Sequence, residues 1–184
     1  MVAESAKYLG IGIYSVSDAA KLTGLSQAQV RHWINGYRYK VDGRTRKQDP
    51  VLNRQLAKLD DQTALGFLDL IEMRVIEALL EKKFSLQLIR VVHERAQEVF
   101  QSDHPFAVGR LRVEADAKEI FSDIDESLID VKHKQFAFEQ IVSPALEDLD
   151  FEDDLARRWW PLKHDHRVPP SHRNFRWTFP TKSG

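Results

Sequence analysis

Two helix starts face each other across a glycine, and this limits what the first fifty residues can become. Ser15 and Asp18 have the spacing of a capping box, Ser-x-x-Asp, and Ser26 and Gln29 repeat it as Ser-x-x-Gln. Between them lies Thr23-Gly24-Leu25. A glycine there permits the tight reversal that lets two short helices meet at a steep angle. The spacing predicts helices over residues 15–22 and 26–35. Ala19 and Ala20 are small enough for close approach, while Leu22, Leu25, Val30 and Trp33 supply the side to be buried. Gln27, Ala28, Gln29, Arg31 and His32 are then left facing outward at the start of the second helix. A recognition helix offers side chains to base edges and phosphates from that position.

The next segment extends the pattern. Tyr37-Arg38-Tyr39-Lys40-Val41 runs into Asp42-Gly43, a two-residue hairpin signal, and Arg44-Thr45-Arg46-Lys47 follows. A hairpin over residues 37–47 therefore carries five cations beside a helix-turn-helix. Such a wing suits phosphates or the minor groove. The candidate DNA contacts are Ser26, Gln27, Gln29, Arg31 and His32 from the helix, with Arg38, Lys40, Arg44, Arg46 and Lys47 from the wing. A plain helical hairpin with an incidental basic loop explains any one of these features, but not the combination.

Charge is partitioned along the chain. Residues 1–60 hold 10 Lys/Arg against 5 Asp/Glu, residues 61–155 hold 10 against 22, and residues 156–184 hold 7 against 1. A polyanion meets the two ends and is repelled by the middle. The 184 residues contain no cysteine, which excludes disulfides, a thiol nucleophile and a cysteine metal site. No window approaches the ~18 apolar residues of a membrane span, and residues 1–10 do not have the pattern of a signal peptide. Cytoplasmic residence is the expectation.

Residues 48–62 have no decisive pattern, and Pro50 limits any helix there; residues 65–82 and 86–101 then have helical apolar spacing, with Ser85 as a cap for the second and His104-Pro105 as its stop. Leu111, Val113 and Ala115 alternate with charged residues and predict a strand; Asp116-Ala117 then turns into a second strand through Ile120 and Phe121. A strand over residues 128–131, a polar loop over 132–134, a helix over 136–149 interrupted near Pro144, an acidic stretch over 147–154 that suits a solvated linker or a surface for a basic partner, and a strand over 156–162 complete the reading. The fold class is mainly α with small β elements (α+β). Its expected parts are a winged helix-turn-helix over residues 1–60, a helical and β-hairpin dimerisation and core region over 61–163, and a basic aromatic tail over 164–184.

Residues 14–38, with Arg31-His32-Trp33 at their end, resemble the MerR-type helix-turn-helix. In this chain His32 stands where that family often has tyrosine. The stretches Leu65-Gly66-Phe67-Leu68-Asp69-Leu70-Ile71-Glu72-Met73-Arg74, Phe84-Ser85-Leu86 and Asp103-His104-Pro105-Phe106-Ala107 narrow the match. Together with Leu155-Ala156-Arg157-Arg158-Trp159-Trp160-Pro161-Leu162 they resemble a VapB-like antitoxin family bearing the same DNA-binding domain. Members of that family often carry a further small helical domain, which would make this chain a naturally short or a truncated member. The resemblance implies operator binding, homodimerisation and neutralisation of a PIN-domain ribonuclease toxin.

Other features point less far. His164-Asp165-His166 reads as a polar turn and not a metal site, and Asp123, Asp125, Glu126 and Asp130 crowd one loop in a way that favours solvation. His93 is expected half-buried at the surface. No phosphate-binding loop, nucleophile elbow or His-Glu-x-x-His occurs, so neither catalytic residues nor a metal or other cofactor are expected. Trp159-Trp160 is expected to complete the core, whereas Arg173, Phe175, Arg176, Trp177 and Phe179 are read as a protein-binding segment. The apolar faces of residues 65–101 exceed what a small wing domain covers, which predicts a two-fold dimer through them. Two functions fit: an antitoxin that represses its own operon, or a MerR-like regulator that senses a small effector without a toxin partner.

Overall fold

The computed structural model describes residues 12–58, 62–122 and 131–160. In these stretches the chain runs β1 (Tyr14–Ser15), α1 (Val16–Thr23), α2 (Gln27–Asn35), β2 (Tyr37–Val41), β3 (Arg44–Gln48), β4 (Ala64–Leu65), α3 (Phe67–Glu81) and α4 (Leu86–Phe100). Two 3-10 turns come next, Pro105–Ala107 and Gly109–Arg112, then α5 (Glu114–Ser122), α6 (Val131–Ala145), β5 (Leu149–Glu152) and β6 (Leu155–Trp159). Three antiparallel pairs make up the sheet content among the described residues: β1 with β4, β2 with β3, and β5 with β6. The fold is α+β and contains a helix-turn-helix.

Helix α3 is the centre. Leu68, Leu70, Ile71, Met73, Val75, Ile76 and Leu79 are all buried on it, so it is apolar almost all round, as a core helix must be. It packs against α1, α4, α6 and the first 3-10 turn. One hydrophobic cluster runs from Val16, Ala19, Val30 and Trp33 through Leu65, Ile71 and Ile76 to Phe106, Phe121, Phe138 and Ala156. Tyr14 pairs with Leu65 and Ser15 with Ala64, which ties the start of the helix-turn-helix to the start of α3.

Several expectations are corrected. Residues 111–121 are not strands: Ala117, Ile120 and Phe121 have helical spacing and are all buried on α5, while Val113 points to solvent. A three-residue alternation is too short to outweigh that stripe. Residues 132–134 continue α6 and do not form a loop. The acidic run 147–154 is a hairpin, with Asp153 and Asp154 both at positive φ in its turn. Among its acids, Asp148 is engaged with Arg74, Asp150 with the Trp160 indole, and Asp154 with the Arg110 amide. Leu22 is exposed, and Val16 and Ile34 take its place in the buried side. The apolar faces of α3 and α4 pack against α5, α6 and the 3-10 turns of the same chain. Of the Trp159-Trp160 pair, Trp159 packs on the core, under the Arg74 guanidinium at 5.0 Å, whereas Trp160 is not part of the hydrophobic cluster. The segments 123–130 and 161–184, with Asp123, Asp125, Glu126, Asp130 and His164-Asp165-His166, lie outside the described residues.

His93 is not at the surface but within the core, because it lies inside the stripe formed by Ile89, Val92 and Ala96. A buried imidazole needs partners, and Glu72 supplies them. Glu72 Oε1 lies 2.8 Å from His93 Nε2 and accepts from the Phe106 amide at 3.2 Å, while Oε2 lies 3.1 Å from His104 Nδ1. One turn earlier, Asp69 accepts from the Gly66 amide at 2.7 Å and the Gln55 amide at 2.9 Å. Gln55 returns the contact by accepting from the Leu68 amide at 3.1 Å. These bonds satisfy amides at the start of α3 that have no partner within the helix. Burial alone would raise the Glu72 carboxyl, but the bonds from His104 and His93 outweigh it and hold the group below its ordinary range. Burial likewise opposes the His104 imidazolium, yet Glu72 and Asp69 beside it raise the group above its ordinary range. Asp69 is raised by burial in spite of its amide bonds.

This network sets how stability depends on pH. The stabilisation from Glu72 is present above its ordinary value near 4.5 and is lost as pH falls through its lowered folded value. That from His104 is fully present below about 6.5 and is lost as pH rises through its raised folded value. Asp69 favours the acid side of this window. Urea midpoints are expected to be highest between these limits, and His104→Gln should flatten the alkaline decline. Glu72→Ala, which strands two buried histidines and an amide, should cost about 3–5 kcal/mol; a loss below about 1 kcal/mol would show that the network does not hold the core.

Candidate nucleic-acid interface

The helix-turn-helix forms because both caps close. The Ser15 hydroxyl accepts from the Asp18 amide at 3.1 Å and donates to its carboxylate at 2.7 Å. At the second start, the Ser26 hydroxyl accepts from the Gln29 amide at 3.2 Å, and the Gln29 side-chain oxygen accepts from the Ser26 amide at 3.0 Å. Gly24 between the helices has φ +80, a left-handed conformation that side chains rarely adopt. Val30, Trp33 and Ile34 turn α2 inward, leaving Gln27, Ala28, Gln29, Arg31 and His32 exposed together.

These outward residues do not stand equally ready for a ligand. Ser26 and Gln29 are committed to the cap, so they hold the helix start in place. Arg31 donates to the Gln27 side-chain oxygen at 3.2 Å, one turn apart on the same face. His32 stacks on Tyr37 with ring centroids 4.5 Å apart, and Tyr37 meets Tyr39 at 5.8 Å. A continuous aromatic row therefore leads from α2 onto the hairpin.

The hairpin has the expected register. Arg38 faces Lys47, Tyr39 faces Arg46, Lys40 faces Thr45 and Val41 faces Arg44. Facing residues share a side of a two-stranded ribbon. Tyr39, Arg44 and Arg46 therefore continue the side begun by Tyr37, and Arg38, Lys40 and Lys47 occupy the other. Asp42 and Gly43, at φ 50 and 74, form the left-handed two-residue turn that matches strand twist. All five cations are exposed, and nothing lies within 4 Å of where a Gly43 side chain would begin.

The root of this hairpin is fixed from several directions. Gly36, at φ +68, donates its amide to the His32 carbonyl at 3.0 Å. A side chain at Gly36 would collide with the Gln48 carbonyl, so the entry and exit of the hairpin can lie together only with glycine there. The Val51 and Leu52 amides both donate to the Trp33 carbonyl, at 2.7 and 3.2 Å. Arg90, from α4, donates to the carbonyls of Pro50 and Asp49 at 2.7 and 2.8 Å. Sequence reasoning singles out neither Arg90 nor the tyrosine row. The spacing Tyr37-x-Tyr39 places both rings on one strand face and could have signalled the row, but nothing in the sequence near Arg90 points forty residues back.

Comparison with known proteins agrees with this geometry. Residues 12–92 match a family model described as "Putative DNA-binding HTH domain". The match takes in the helix-turn-helix, the hairpin, all of α3 and the first half of α4. The match supports a DNA-binding helix-turn-helix in the amino-terminal part of the chain. No curated protein matches the chain, and no solved structure does. The tail residues Arg173, Phe175, Arg176, Trp177 and Phe179 lie outside both the family match and the described residues.

Arg44→Ala is expected to weaken binding to selected and random DNA alike and to lower the slope of log affinity against log salt by about one unit. Because Arg31 and Gln27 are bonded to each other, their alanine variants should be non-additive, with Gln27→Ala altering sequence preference through the released arginine. Equal and additive losses on all sequences would show that this face of α2 reads no bases.

Proposed function

We propose that this protein is a DNA-binding repressor that serves as the antitoxin of a toxin–antitoxin pair, acting on its own operon and neutralising a PIN-domain ribonuclease. The observation that carries the DNA half is the exposed α2 face continued by a ribbon with five exposed cations. Gln27, Arg31 and His32 would address the major groove, and Arg38, Lys40, Arg44, Arg46 and Lys47 the flanking phosphates. Ser26 and Gln29 would set the angle at which the helix enters. One such helix covers few base pairs, so two copies on half-sites about one helical turn apart would supply useful affinity.

The antitoxin half rests on the likeness of residues 65–107 and 155–162 to VapB-like antitoxins. The tail would hold the toxin through Arg173, Phe175, Arg176, Trp177 and Phe179. Arginines alternating with aromatics can anchor in a groove and neutralise clustered acids. A metal-dependent ribonuclease presents such acids. A regulator that senses a small effector would call for an apolar pocket. Two surface clefts among the described residues are open: one is lined by Asn53, Glu94, Glu98 and Asp103, and the other by Ile34, Asn35, Pro50, Leu52, Asn53 and Arg54.

Removing residues 164–184 should leave affinity for DNA within about threefold, ~0.7 kcal/mol, while abolishing co-purification with the ribonuclease encoded alongside. If the shortened chain lost DNA but still captured the ribonuclease, the tail would be a DNA arm and the assignment would fail.

A further inference from the structure

Arg90 belongs to the body of the protein, yet both of its bonds are spent on the root of the hairpin. It stands on α4, beyond the central helix, and its guanidinium donates Nη1 to the Pro50 carbonyl and Nη2 to the Asp49 carbonyl. Those two carbonyls are the first after β3. A planar fork closing on two adjacent carbonyls fixes direction as well as distance. The contact also continues into the hairpin, because the Asp49 carboxylate pairs with Lys47 at 2.6 Å. At the tip, by contrast, Gly43 faces open space. The direction in which the ribbon leaves the body is therefore decided at its root.

We infer that Arg90 is a positioning residue for DNA binding: its fork on Asp49 and Pro50 sets the angle of the hairpin, and so decides whether the hairpin cations reach phosphate while α2 is in the groove. This rests on the reading of the hairpin as a DNA-contacting wing. It assigns a role in binding to a residue of α4 that need not touch DNA. The other root contacts come from the helix-turn-helix itself, through Gly36 and the Trp33 carbonyl, and hold the ribbon to α2. Arg90 holds it to α4, so a change in the packing of α4 would be felt at the wing.

A double-mutant cycle on the full chain tests this, with a random-sequence duplex as probe and anisotropy as readout. Arg44→Ala should weaken binding several-fold in the wild-type background but by less than about twofold in the Arg90→Ala background. Arg90→Ala alone should lower the salt slope by more than one unit, because several wing cations are lost together. Arg90→Lys, which keeps the charge without the planar fork, should recover little of the affinity, as should Arg90→Met, which keeps only the stem; full recovery by lysine would mark a simple phosphate contact. Additive losses from Arg90 and Arg44, with a slope change of about one unit for Arg90→Ala, would make Arg90 an ordinary phosphate contact and overturn the inference. A second arm needs no DNA: trypsin should cut after Arg44, Arg46 and Lys47 several-fold faster in Arg90→Met than in the wild type, at similar thermal midpoints. Equal cutting rates would overturn the inference as well. If the wild-type chain bound no duplex, the wing reading would fail and the trypsin arm would still judge the clamp.

Discussion

Everything else is arranged around a carboxylate in the middle of the central helix. Glu72 has no exposed surface, and it serves His93 from α4, His104 from the loop after that helix and the amide of Phe106. An ionised group in such a place is tolerable only with both oxygens engaged by donors. Satisfying it fixes the relative positions of α3, α4 and the first 3-10 turn. Asp69, one turn earlier, extends the same device to Gln55 and so to the loop that leaves the hairpin. Polar bonds thus specify how the apolar surfaces meet, which hydrophobic packing alone does loosely.

The helix-turn-helix is legible in the sequence because its determinants are local. Ser15, Gly24, Ser26 and Asp42-Gly43 each act on backbone within a few residues, and each acts in the structure as the spacing requires. The middle of the chain is less legible, since its determinants are distant. The alternation Leu111-x-Val113-x-Ala115 suggests a strand, yet Ala117, Ile120 and Phe121 are claimed by the core as a helical stripe. His93 reads as a surface residue for want of any nearby partner; its partner lies on another helix. Of the candidate DNA contacts, sequence identifies which side chains are outside, but not that Ser26 and Gln29 serve the cap or that His32 is stacked.

The charge partition acquires a physical reading once the elements are known. Five of the ten cations of residues 1–60 sit on a ribbon with open space at its tip. Many of the acids of the middle are structural: Asp69 and Glu72 in the core, Asp148 beneath Arg74, Asp154 at the turn that receives the Arg110 amide. An acidic body behind a basic ribbon also gives the molecule a polarity, so that long-range forces turn the ribbon toward a polyanion before contact is made.

The pairing of β1 with β4 and the sharing of one hydrophobic cluster between α1, α2 and α3 bear on how such a protein can be inherited. Trp33 and Val30 belong to a cluster completed by residues beyond the ribbon, so the helix-turn-helix carries an unfinished interior wherever it is cut from α3. Gene fusions that transplant it must carry α3 along, and with α3 come Asp69 and Glu72 and the histidines they require. The unit of exchange is then set by the reach of a buried charge and not by the length of the helix-turn-helix.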